Sequence, residues 1–361
     1  MEEQTKMSLL HKNQQIIEMV IERAKRDFAD DIGLIGLTGS FNQGDFHEFS
    51  DLDLVIVNVT ERGLEINFSF ILGDVGYDIY CTPWEPRLAS QSVLESPMAA
   101  ELLDMEVLYV AKPEHLDMLT RYRQAALDEL AKPIGRPCLD RAAVYIAKAK
   151  EEYANALLAE ETSAVRLAVG GVLYNSVNAV VSMNNTYLKH GPSQYLEELR
   201  AYQYLPRGFE TDCLAIVSSK DLNDIRDAAF ALLKGTVGLY LEMVDRFVDK
   251  LSPTSDNLRG TYEELWCNYR NKIIRSADAA DKSATFFAAY NAQQYLDEMT
   301  GEVSGTPKFD LLRHFDPDDL HAVKTAFVTI MDEYLKEYIK VGREAEVFNS
   351  FDELYAKFMQ T

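Results

Sequence analysis

Between Leu9 and Phe28, apolar residues at Ile16, Ile17, Val20, Ile21 and Ala24 return every three or four positions with charges between them, which predicts an amphipathic first helix. The period then shortens. Ile32–Leu37 is a continuous apolar run of strand length ended by Gly39-Ser40, and Leu52–Val59 (LDLVIVNV) is a β-branched strand with Asp51 and Asp53 at its entrance. Two more strands are expected over Glu65–Leu72 and Gly76–Thr82, with the turn-forming Gly73-Asp74-Val75 between them. A helix around Pro97–Asp104 and a strand over Met105–Val110, bounded by Lys112-Pro113, complete this region.

Past Lys132–Pro137 (KPIGRP), whose two prolines and glycine make it the expected boundary, the pattern turns helical. Helices are predicted over Leu139–Glu160, Ser163–Asn184, Ser193–Tyr202 and Lys220–Leu251, with a break at Leu205-Pro206-Arg207-Gly208. The loop-like Ser252–Asn257 separates a last helical block. The fold class this implies is α+β: a small mixed sheet with flanking helices in residues 1–132, then an all-α domain in 138–251 and a C-terminal helical domain or extension in 258–361.

Composition narrows the function. Fifty-eight acidic against 36 basic side chains give a formal charge of −22, which disfavours a surface made for a nucleic-acid backbone and would attract a small cation. The four cysteines, Cys81, Cys138, Cys213 and Cys267, form no CxxC pair and do not cluster with histidines, so neither a zinc site nor a disulfide framework is expected. The polar first residues and the absence of an apolar run near the roughly 18 residues of a membrane span lead to a cytoplasmic, membrane-free expectation. Neither a P-loop nor a G-x-S-x-G nucleophile elbow is present.

The chemistry concentrates between Gly39 and Asp53 (GSFNQGDFHEFSDLD). Residues two apart on a strand share a face, so Asp51 and Asp53 would project together while Leu52 turns into the core. Two such carboxylates repel unless a cation lies between them, and Asp-x-Asp at a strand edge suits magnesium bridged to substrate phosphates. Eleven positions before Asp51, Gly39-Ser40 offers close backbone approach and a hydroxyl able to hold a phosphate.

Apolar strand, Gly-Ser, a polar connection and Asp-apolar-Asp-apolar together resemble the signature of the polymerase-β-type nucleotidyltransferase superfamily. The resemblance implies catalytic metal ligands at Asp51 and Asp53, two Mg²⁺ ions, and phosphate contact at Gly39 and Ser40. It also implies a third carboxylate from a later strand. Asp78, set between apolar neighbours in Gly76-Tyr77-Asp78-Ile79-Tyr80, is the choice, with Glu65, Asp74 and Glu85 behind it. The helical remainder is similar to that of antibiotic nucleotidyltransferases, through NNTYLKHG (Asn184–Gly191) and YLPRGF (Tyr204–Phe209). Lys189, beside Gly191-Pro192, is the lysine expected to reach nucleotide phosphates, ahead of Lys148 and Lys150; Arg270 and Lys272 are acceptor-side alternatives, and His47 lies in the connection itself.

The expected reaction is transfer of AMP from ATP to a hydroxyl of a small acceptor, with an aminoglycoside-like cation favoured by the acidic charge. A protein side chain as acceptor, and a non-catalytic nucleotide-binding module, stay open, as does the oligomeric state.

Overall fold

The computed structural model describes residues 3–359. The chain divides into two compact units, Met1–Val248 and Asp249–Thr361.

The first unit opens with α1 (Glu3–Asp27), followed by β1 (Ile32–Thr38), the short α2 (Gly39–Gln43), β2 (Asp53–Asn58), β3 (Phe68–Leu72) and β4 (Val75–Ile79). Next come α3 (Ala89–Ser92), α4 (Ala100–Leu103), β5 (Glu106–Val110) and α5 (Pro113–Leu130). Strands β2, β1 and β5 form a three-stranded sheet in that order, and β3 and β4 form a separate hairpin. The sheet was expected to be mixed; both of its pairings are antiparallel, and the parallel contact is a single bridge from Ile56 to Cys81. Local periodicity gives a strand's faces but not its direction, which explains the difference.

The sheet is buried on both sides. Leu54 and Ile56 of β2 pack with Ile35, Leu37 and the Ile16, Ile17, Val20 and Ala24 stripe of α1, to which β4 adds Val75, Tyr77 and Ile79. Val55 and Val57 face the opposite way, against Leu88, Leu102, Met105 and Leu119. The alternation along β2 therefore fixes which way Asp53 points: to the Val55 side.

The helical group of the same unit is α6 (Arg136–Leu158), α7 (Thr162–Met183), α8 (Tyr195–Leu199), α9 (Phe209–Ser218) and α10 (Leu222–Phe247). By length and composition α7 could cross a membrane, yet more than half of its apolar window is buried. Val165, Val169, Val172, Val177 and Val181 of α7 share one core with α6, α9 and α10. Helix α9 has no counterpart among the predicted elements, because Phe209–Ser218 makes only one short amphipathic turn pair.

KPIGRP, the expected boundary, lies inside this unit. The reason is Asn185, whose amide nitrogen donates toward the carbonyls of Glu129 (2.9 Å), Leu130 (3.4 Å) and Lys132 (3.1 Å), while its oxygen accepts from Arg141 (2.8 Å). Asn185 is buried and holds φ +46, a left-handed conformation that asparagine tolerates better than most residues.

The second unit contains α11 (Thr261–Glu264), α12 (Asn271–Asp278), α13 (Lys282–Glu302), α14 (Leu320–Lys340) and α15 (Phe351–Phe358). Its core gathers Ile273, Leu296, Phe327, Tyr334 and Tyr338. Tyr338 donates to Glu263 and accepts from the Gly260 amide, both within 2.9 Å.

Replacing Asn185 by Ala should lower unfolding stability by about 2 kcal/mol, since it strands buried acceptors and puts alanine in a left-handed conformation. Urea denaturation of the full chain measures this; an unchanged midpoint would show that the α5–α6 junction does not depend on it.

Candidate active site

The antiparallel register of β1 and β2 sets Thr38 opposite Asp53, so the chain leaves β1 at Gly39 beside the aspartate. Gly39 has φ +71, and a Cβ there would fall 1.8 Å from Asp53 Oδ2. Glycine is thus required twice, for the left-handed backbone and for the space the carboxylate occupies. Ser40 follows in the first turn of α2, where its carbonyl accepts from the amides of Gly44 (2.9 Å) and Asp45 (3.2 Å). Gly44, at φ +82, closes the turn.

Asp51 and Asp53 flank a buried Leu52, as alternation requires. Asp53 is exposed as a residue, but its carboxylate is crowded on the Gly39 side, and burial followed by the charges of Asp51 and Glu101 pushes its pKa up to about 6. A carboxylate raised in this way is one a cation would relieve. Among the described residues no three His, Cys, Asp or Glu side chains form a group able to hold a metal unaided. Two carboxylates completed by substrate phosphates are nonetheless a usual magnesium arrangement, and the Asp51–Asp53 pair fits it.

Asp78 is exposed on β4 and accepts a hydrogen bond from Ser69 across the hairpin. The hairpin meets β2 at one parallel bridge, Ile56 to Cys81, three residues beyond Asp78. Tyr80, whose phenol is raised first by burial and then by Glu101, also feels both Asp53 and Asp78. Of the other acids considered, Glu65 precedes β3 in a turn where Arg23 binds its carbonyl, Asp74 is at the β3–β4 turn, and Glu85 lies beside Tyr122.

Sequence reasoning missed Glu101. It lies on α4, where Arg87 binds it through two hydrogen bonds (3.0 and 2.7 Å) and the buried Gln91 through a third (2.8 Å). An acid 48 positions beyond Asp53 on a short helix carries no local signal; only the return of the chain into β5 brings it near.

The helical group reaches this site through NNTYLKHG. Tyr187 donates to Asp104 Oδ1 (2.8 Å), and Asn42 of α2 donates to the Asp104 carbonyl (3.0 Å). Burial and then the Asp104 carboxylate raise the Tyr187 pKa, so the phenol stays a donor. Asn184 both donates to the Tyr204 carbonyl (2.7 Å) and accepts from its amide (2.9 Å), which ties together the two phrases singled out in the sequence. Lys189 is exposed, with Nζ 6.0 Å from the Tyr187 ring centre. Lys148 rests over Tyr145 on α6; His47 accepts from the Phe49 amide in its own turn; Arg270, in the second unit, stacks on Trp266.

Part of this region is similar to a known protein family. Residues 17–75 match the model of the nucleotidyltransferase domain, a span that contains Gly39 to Asp53 and ends before Asp78. No curated protein matches. Among solved structures, a nucleotidyltransferase-like protein from Exiguobacterium sibiricum aligns over 64% of this chain and 76% of its own, at 13% identity and a TM-score of 0.34.

The raised pKa of Asp53 sets a stability prediction. A folded carboxyl that titrates near 6 against 3.8 as a model compound favours the folded state most at low pH, and that contribution is lost as pH rises through about 6. Asp53→Asn should therefore stabilise the metal-free protein at pH 8 by about 1 kcal/mol, after discounting for solvent screening. The gain should fade toward pH 4; thermal unfolding at both pH values checks it, and an equal gain at each would contradict the assignment.

Proposed function

We propose that this chain, whose N-terminal region carries a nucleotidyltransferase domain of the polymerase-β type, transfers the nucleoside monophosphate of a magnesium-bound nucleoside triphosphate, ATP being the expected one, to a hydroxyl of a small acceptor. The observation that carries this reading is the Gly39 turn pressed against Asp53, whose carboxylate is raised by burial and then by the charges of Asp51 and Glu101. Asp51 and Asp53 would hold the metal, and Asp78, on the separate β3–β4 hairpin, would serve as the base. When bound, magnesium supplies charge neutralisation on the phosphates and on the departing pyrophosphate.

The residues of the chain then act mainly by placement. Ser40 and the amides of its turn would present donors to the terminal phosphates, and Lys189, whose carbonyl accepts from Gln43 of the same turn, would add a positive charge. The acceptor oxygen forms its bond to the α-phosphorus as the bond from that phosphorus to the bridging oxygen of pyrophosphate breaks. Asp78 takes the hydroxyl proton. Little covalent work falls to the protein, so positioning and electrostatics supply most of the rate.

Beside the turn, a pocket of about 450 Å³ is lined by Tyr187, Lys189, His190, Glu197, Glu198 and Tyr202, among others. Its two phenol rings and the exposed Glu197 suit a hydroxylated acceptor with a positive group. This supports a small-molecule acceptor over a protein side chain.

Asp53→Asn and Asp51→Asn should each lower transfer by about a hundredfold or more, the order seen when a charge-stabilising group is removed. Pyrophosphate release from Mg-ATP across a panel of amino sugars and cyclitols is the assay. Transfer that survives Asp53→Asn would remove the metal assignment, and nucleotide binding with no release for any acceptor would favour a non-catalytic module.

A further inference from the structure

The turn that presents Ser40 has little of its own to hold it. Helix α2 is five residues long and contains no buried residue. A single helical turn pays the nucleation penalty without the propagation that offsets it. Phe41 is partly buried against the sheet core and packs on Phe46, and side-chain hydrogen bonds from Asn42 and Gln43 tie the turn to more distant parts of the unit.

Gln43 makes the most distant of these. Its amide nitrogen donates to the Lys189 carbonyl at 2.8 Å, and its amide oxygen lies 2.9 Å from His190 Nδ1, across 146 and 147 positions of sequence. The first bond fixes the orientation of the amide, because a carbonyl can only accept. The second then requires a proton on Nδ1, so the imidazole is the donor. On the far side Glu198 of α8 accepts from the backbone amides of both Lys189 and His190. Two residues after Gln43, Asp45 accepts from Gln194 at 2.7 Å.

We infer that Gln43 is a positioning residue: by gripping Lys189 and His190 with both ends of its amide, it holds the Gly39–Gln43 turn in the shape that offers Ser40 to the nucleotide phosphates. The inference rests on the nucleotidyl-transfer reading of the site and adds to it that the helical group shapes the phosphate-binding turn. Gln43 itself touches no reacting atom. Its contribution is preorganisation, which saves the ordering cost at the moment of binding.

Gln43→Met keeps the length of the side chain and removes both hydrogen bonds. In the full chain, hydrogen exchange at the Gly44 and Asp45 amides, which close the turn on Ser40, should quicken. Binding of the magnesium complex of α,β-methylene-ATP, followed by calorimetry, should weaken by about tenfold, the scale of one net hydrogen bond. The melting temperature should stay near wild type, because the residue is exposed. His190→Leu should reproduce the loss and His190→Asn, which keeps a donor where Nδ1 stood, should restore much of it. Unchanged exchange, or faster exchange with unchanged nucleotide affinity, would overturn the inference. Should wild type bind no nucleotide while Gln43→Met still loosens the turn, the transfer reading fails and the grip on the turn stands.

Discussion

The contact on which the site depends is the approach of the Gly39 backbone to the Asp53 carboxylate, close enough to leave room for a hydrogen and nothing larger. It follows from the register of two strands. With Thr38 opposite Asp53, the first residue past β1 must pass the side chain that begins β2, and only a glycine at positive φ can do so and turn directly into α2. The acid pair and the Gly39–Gln43 turn are therefore one construction. Slipping β2 by a residue would turn Asp53 to the opposite face and bring a different side chain to the turn.

That contact concentrates charge as well as atoms. Asp53 feels the charges of Asp51 and Glu101, in a region where Arg87 is already committed to Glu101. The excess negative charge is a cost to the fold that a bound cation would remove. The composition of the chain as a whole, acidic by 22 charges, tells much less than this one cluster does.

The sequence made parts of this legible because they depend on neighbours along the chain. Gly39-Ser40, the Asp51–Leu52–Asp53 alternation and strands β1, β2 and β5 all rest on periods of a few residues. Glu101 was invisible because its proximity to Asp53 is created by chain return, and strand direction was invisible for the same reason. KPIGRP read as a boundary on its prolines and glycine, while the interactions that hold it, from Asn185, come from more than fifty positions away. NNTYLKHG stood out as a phrase, but its work is done by Asn185 and Tyr187, which join the helical group to the sheet region, and by Asn184, which ties it to Tyr204.

The pairing of Gln43 with Lys189 and His190 bears on how such chains can be recombined. A helical group taken from another scaffold could bring its own pocket, yet it would also have to supply a free carbonyl and a ring donor where this chain has residues 189 and 190. Without them the exchange would alter the turn next to the acid pair. Shuffling at residue 132 would thus not swap one module for another; it would change both at once.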